Sequence, residues 1–153
     1  MFTNFDCLEF LENLHLSNQT VLDVGCGSGI LGLCALLLGA KSAELVDIDV
    51  QATDVALHNA QINGLDGLCS IKTGNLTEKT TGTFNIVFAN LTADILQLLY
   101  QDISTVVHSG TTLILSGILD IKLDGIVELY SQKFDVLEIK QKGEWRALKL
   151  SAK

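Results

Sequence analysis

The 153-residue sequence predicts an α/β domain: a doubly wound, seven-stranded, mostly parallel sheet with a C-terminal antiparallel hairpin. Three observations carry this expectation. Short apolar runs alternate with helix-period segments from residue 20 to residue 131. Most of those runs are unbroken by polar residues, as in strands buried on both faces of a parallel sheet. The last two strand-like runs have no helix between them, so they must pair antiparallel at one edge.

The chain contains no proline, so element boundaries are read from glycines, Asn/Asp/Ser clusters and changes of period. Residues 5–14 place apolar side chains at helical spacing, and Ser17-Asn18-Gln19 is a turn into a short buried strand at 20–24. A helix begins at Ser28 and stops near Gly39; its GILGLCALLLGA stretch is apolar on nearly every face and is expected to be buried. A strand at 43–48 leads into a helix at 49–63, closed by Asn63-Gly64. Strands follow at 69–73 and 84–89, then a helix at 93–107. Ser109-Gly110 makes a turn before the strand at 111–116, and a helix occupies 120–131. Strands at 135–140 and 145–150 close the chain, joined by a turn at 141–144. There is no internal repeat, and residues 1–153 read as one domain.

Composition narrows the function. With 48% apolar residues, no stretch reaches the roughly 18 unbroken apolar residues of a membrane helix. The start, MFTNFDCLEF, lacks the basic region and small-residue cleavage site of a secretory signal, so a cytoplasmic protein without membrane partners is expected. Cys7, Cys26, Cys34 and Cys69 form no C-x-x-C pair and have no histidine at ligand spacing. Buried free thiols are expected, with no metal site. A net charge of −8 with ten scattered basic residues does not suit a phosphate backbone, which disfavours nucleic acid as a direct partner. An acidic surface can attract a basic protein substrate, and it also serves ordinary solubility.

Ligands of such sheets bind beyond the carboxyl ends of the strands, near the switch in strand order. The first such end carries Asp23 and then Gly25, Gly27 and Gly29. A dinucleotide fingerprint needs a third glycine where this chain has Ile30, and the Lys-Ser/Thr of a phosphate-binding P-loop is absent. Asp23 would repel phosphate and favours a ligand with positive charge. S-adenosylmethionine (SAM) carries an ammonium and a sulfonium and no phosphate. Asp47, eighteen residues beyond Gly29 at the tip of the next strand, can accept hydrogen bonds from both ribose hydroxyls of a nucleoside. It could instead cap the following helix, a task for which Asp49 is better placed.

Asn90 ends the fourth strand, where its side-chain oxygen can accept from a substrate amine and orient the nitrogen lone pair; a local turn is the alternative role. Base methylases place an aromatic after this Asn to stack on a flipped base, and Leu91-Thr92-Ala93 offers no such face. Asn75 can reach an adenine edge or simply shape its loop. His15, His58 and His108 are too scattered to form a catalytic set. Trp145, in the last strand, fits the core better than a site.

With VLDVGCGSGIL, LVDID, FANL, LILSGIL and GEW in this order, the chain resembles the bacterial ribosomal protein L11 methyltransferase family from about Thr3 to its end. The first motif alone would indicate only a class I SAM-dependent methyltransferase. Ser116-Gly117-Ile118-Leu119 and Gly143-Glu144-Trp145 narrow it to the family. The resemblance implies the Rossmann-like class I fold, SAM as cofactor, and methylation of amino groups on lysines and the N-terminus of ribosomal protein L11. By position it implies a cofactor-contacting glycine at Gly25, a ribose aspartate at Asp47 and the strand-four asparagine at Asn90. The expected cofactor-binding set is Asn4, Asp23, Gly25, Cys26, Gly27, Gly29, Asp47, Ile48, Asn75 and Asn90, with Asn90 also the catalytic residue.

The chain departs from the family twice. Nothing in it corresponds to the family's N-terminal substrate-binding domain. Of the family's Phe-Gly-Thr-Gly-x-His-x-Thr-Thr segment over the cofactor, only Thr3 and Asn4 remain, with Asn for the second Thr. A catalytic fragment, or a shortened relative with another substrate, is therefore expected. Competing readings are a SAM-binding module without turnover and a small-molecule amine methyltransferase. A nucleotide-dependent oxidoreductase is disfavoured by Ile30 and Asp23.

Overall fold

A computed structural model describes residues 3–153, with side chains from Asp6 onward. The elements run α1 (Thr3–Glu12), β1 (Thr20–Val24), α2 (Ile30–Leu37), β2 (Ser42–Asp47), α3 (Val50–Ile62), β3 (Cys69–Thr73), β4 (Phe84–Asn90), α4 (Ala93–Asp102), β5 (Val107–Leu119), α5 (Leu123–Tyr130), β6 (Phe134–Lys142) and β7 (Trp145–Ala152). Short 3-10 turns at Ile103–Thr105 and Asp120–Lys122 precede β5 and α5. The seven strands form one sheet in the order β3-β2-β1-β4-β5-β7-β6. The first five are parallel, and β7 inserts antiparallel between β5 and β6. This is the doubly wound, seven-stranded sheet with a C-terminal hairpin that the sequence predicts.

Each face of the sheet has its own apolar layer, which is why the central strands read as unbroken apolar runs. On one face Cys7, Phe10 and Leu11 of α1, Leu31, Ala35 and Leu36 of α2, and Ala56 and Ala60 of α3 pack on Val21, Leu45, Phe88 and Ile114. On the other, Leu96 and Leu99 of α4 and Ile126 and Tyr130 of α5 pack on Leu22, Val87, Leu113 and Leu148. Both α2 and α3 end in the same way, with the Gly39 and Gly64 amides reaching the Leu36 and Gln61 carbonyls and the next residue's amide reaching back one further.

Four local expectations are corrected. The helix at 93–107 is shorter: α4 ends at Asp102, and β5 already begins at Val107. Ser109-Gly110 is a bulge inside β5, across which the pairing jumps from Phe84–Val107 to Ile86–Thr112. The Thr111 hydroxyl donates to the Phe84 carbonyl and accepts from the His108 amide, so a side chain replaces the ladder there. The helix α2 is not buried all round, since it lies against β1, β2 and α1 on one side and leaves Leu37 61% exposed. Finally, the β6–β7 turn is tighter than 141–144: Lys142 already pairs with Trp145.

Tyr130 fastens α5 to α4. It is fully buried, its hydroxyl donates to the Leu96 carbonyl at 2.7 Å, and its ring meets Tyr100 edge-on at 5.1 Å. Tyr130→Phe removes the donor and leaves that buried carbonyl short of a partner, so urea unfolding should lose about 1–2 kcal/mol. An unchanged midpoint would show that the carbonyl is satisfied without it.

Candidate functional site

The strand order sets the tips of the parallel strands side by side. Across the sheet they present Asn75 just after β3, Asp47 and Ile48 at β2, the Gly25–Gly29 loop after β1, Asn90 at the end of β4, and Ser116-Gly117 in β5. The switch in strand order falls between β1 and β4, so the loop and Asn90 flank the crevice that such a switch creates. Antiparallel β7 begins at this same end, which brings Trp145 to the site.

The loop is pinned to β2 by its own backbone. The Gly25 and Cys26 amides both donate to the Val46 carbonyl, at 2.8 and 2.9 Å, and the Gly27 amide donates to Asp47 Oδ2 at 2.8 Å. Turning this sharply needs positive φ at Gly25 (70°), Gly27 (54°) and Gly29 (85°), the region L side chains rarely adopt. A Cβ on Gly25 would strike the Leu91 side chain, whereas one on Gly27 would meet nothing within 4 Å. The space over Gly27 is thus open.

Two carboxylates lie beneath and beside the loop. Asp23 is buried, and its Oδ2 accepts from the Gly32 amide at 3.0 Å, in the first turn of α2. Burial pushes its carboxyl up to about 7; the Gly32 hydrogen bond opposes this and the negative charge of Asp47 adds to it. Asp47 is half-buried, and its Oδ1 accepts from the Asp49 amide at 2.9 Å. Each carboxylate oxygen has two acceptor positions, so Asp47 retains capacity for hydroxyl donors. Asp49 caps α3 by accepting from the Gln51 amide. Capping therefore falls to Asp49, as its position suggests.

The remaining expected residues spread around this centre. Cys26 is buried in the loop, and burial holds its thiol high, as it does for Cys7. Ile48 is 71% exposed, an apolar shelf beside the Asp47 carboxylate. Asn75 is exposed, two strands away from the glycine loop. Asn4 lies in α1, and its side chain falls outside the described residues. Cys7 of the same helix hydrogen-bonds Ser116, the residue paired with Asn90. Gly117 bridges onward: at φ 83°, a Cβ on it would sit 2.7 Å from the Leu91 carbonyl oxygen and 3.1 Å from Asn90 Oδ1. The three histidines are exposed, and no group of three metal-ligating side chains occurs among the described residues.

Beyond Asn90, a cavity of about 250 Å³ is lined by Thr92, Ala93, Asp94, Gly117, Leu119, Lys122 and Trp145. Sequence reasoning leaves this second chamber unseen, because Trp145 enters it only through the pairing of β7 with β5. The one sequence signal is Gly-Glu-Trp itself: a tight turn followed by an aromatic at the very start of a strand.

Comparison with known proteins fits this geometry. The family model described as ribosomal protein L11 methyltransferase (PrmA) matches residues 3–153. Ribosomal protein L11 methyltransferase of Helicobacter pylori is 40% identical over 148 residues, covering 96% of this chain and 44% of that protein. The Thermotoga petrophila protein of the same name is 43% identical over 140 residues, covering 91% of this chain and 52% of its own. The chain therefore spans about half the length of the curated relatives it matches. A crystal structure of ribosomal protein L11 methylase from Lactobacillus delbrueckii subsp. bulgaricus superposes with a TM-score of 0.93 at 30% identity, over 99% of this chain and 79% of that one.

The raised Asp23 carboxyl gives a pH signature. The folded state binds this proton more tightly than the unfolded chain, whose carboxyl keeps its ordinary value of 3.8. Its contribution to stability is complete below that value and is lost as pH rises toward about 7. Asp23→Asn keeps an oxygen for the Gly32 amide and carries no charge. The thermal midpoint of the variant relative to the native chain should therefore climb between pH 4 and 7 and level off above. Parallel midpoint curves would refute the buried carboxyl as the cause.

Proposed function

The chain belongs to the ribosomal protein L11 methyltransferase family, and from that premise we propose that residues 1–153 are the catalytic domain of a SAM-dependent methyltransferase acting on protein amino groups, with ribosomal protein L11 as the acceptor in the longer relatives. The single observation that carries the cofactor half is the pinned loop. Three successive amides end on Val46 and Asp47, leaving open space over Gly27 beside a carboxylate with acceptor positions to spare.

The donor set fits a nucleoside without phosphates. Asp47 would accept from the ribose hydroxyls, Ile48 would cover an adenine face, and Asn75 would stand at its edge. The Gly25–Gly29 loop would admit the amino-acid portion, over a floor that Asp23 keeps negative whenever it is ionised. SAM supplies a methyl group already bonded to a sulfonium, a leaving group that needs no proton. What this chain has to contribute is alignment and dryness. The Asn90 side-chain oxygen would accept an N–H of the incoming amine and aim its lone pair. Leu91, against Gly25, and Trp145, across the second chamber, would exclude water. The amine nucleophile has to arrive deprotonated, so no strong base is required beside it.

Calorimetric titration with SAM, comparing the native chain with Asp47→Ala, tests the cofactor half. Losing the charge-assisted hydrogen bonds to ribose should weaken binding roughly ten- to a hundredfold, about 1.5–3 kcal/mol. Equal affinities would remove the ribose role, and no binding by either protein would remove the cofactor. Mass spectrometry of L11 incubated with SAM and the native chain tests the acceptor half. Cofactor binding without added methyl groups would leave a SAM-binding module, or an enzyme with a smaller amine as acceptor.

A further inference from the structure

Arg146 is the second residue of β7 and is only 8% exposed, in a strand whose next three residues are Ala147, Leu148 and Lys149. It pairs with Ile118 just after the Gly117 irregularity in β5. Its Nη1 donates to the carbonyls of Gly143 and Trp145, at 2.8 and 2.9 Å, and its Nη2 lies 2.9 Å from Asp120 Oδ1. The Asp120 amide in turn donates to the Glu144 carbonyl at 2.8 Å. A buried charge is an unfavourable way to gain stability, because a well-packed apolar side chain usually serves as well or better. What the planar guanidinium fork does, and no apolar group can, is join three segments at fixed angles. Those segments are the 3-10 turn after β5, the β6–β7 turn and the main chain of Trp145.

We propose that Arg146 is a positioning residue for the acceptor: by clamping the Trp145 carbonyl and the adjoining turn to Asp120, it fixes the Trp145 wall of the chamber formed with Thr92, Asp94 and Gly117. This rests on the reading of that chamber as the acceptor pocket. Among the described residues the clamp's partners are Gly143, Trp145 and Asp120, all outside the glycine loop, so its effect falls on the acceptor side.

Trp145 is the chain's one tryptophan, so its fluorescence reports the clamp directly. In Arg146→Met, with cooperative melting retained, emission should shift to longer wavelength and acrylamide quenching should rise about twofold or more, as the ring loses its fixed wall. Affinity for S-adenosylhomocysteine should stay within about twofold, while KM for L11 rises more than kcat falls. Arg146→Lys should recover part of the native quenching, and Asp120→Asn, which keeps both carbonyl bonds, should show a smaller change of the same sign. Native emission and quenching in folded Arg146→Met would overturn the proposal. So would an affinity loss for S-adenosylhomocysteine as large as the quenching change, which would mean general loosening. If Arg146→Met does not fold, unchanged quenching in Asp120→Asn overturns it. A quenching response as expected without any methyl transfer to L11 would uphold the clamp and defeat the assigned function instead.

Discussion

Two neighbouring amides, those of Gly25 and Cys26, end on one carbonyl, that of Val46, and the next amide ends on the Asp47 side chain. The site depends on this joint. It stops β1 from running on beside β2 and turns the chain at once toward α2. The turn is sharp enough that alternate residues need positive φ, so the glycine spacing is a backbone requirement before it is a ligand motif. Asp23 then ties the start of α2 back to β1 through the Gly32 amide, which places one carboxylate below the loop as Asp47 stands beside it. Burial, with the negative charge of Asp47 adding to it, makes Asp23 hard to ionise. A floor that resists further negative charge suits a ligand without phosphates.

The backbone arrangement of the glycine-loop half of the candidate site was legible in the sequence because it is local. Gly25, Gly27, Gly29, Asp47 and Asp49 lie within one strand–helix–strand unit, and each has a role set by strand ends and helix starts. The expectation that Asp49, and not Asp47, caps α3 follows from the same local rules, and the Gln51 hydrogen bond agrees with it. The central strands were equally legible, since burial on both faces leaves little but apolar residues. At the start of β5 the reading failed because a long-range contact had replaced a local one. Residues 103–107 continue a helical pattern, yet Phe84 recruits Val107 into the sheet, and the Thr111 hydroxyl takes over the ladder across the bulge. No window of sequence around residue 107 contains Phe84.

The same reasoning explains why Trp145 and Arg146 read as ordinary strand residues. Their surroundings are set by the register of β7 against β5, and that register shifts between Leu115 and Ile118. An in-line reading of Trp145-Arg146-Ala147-Leu148 sees one polar side chain in an apolar run. Only the folded hairpin shows that the guanidinium meets Asp120, just past the end of β5.

The two halves are therefore built under different constraints. The glycine-loop side is a continuous backbone structure in which each glycine and carboxylate fixes its neighbours, so it has little room to change without losing the loop itself. The second chamber gathers Thr92 and Asp94 from one helix start, Gly117 and Leu119 from a strand end and Trp145 from a hairpin. Such a wall can be reshaped by changing a turn or its fastening while Gly25–Gly29 and Asp47 stay as they are. Asn90 stands where the halves meet: its strand pairs with Ser116 on one side, and the Leu91 beside it closes on Gly25 on the other. The same two residues therefore border both the glycine loop, through Leu91 at Gly25, and the second chamber, through Gly117.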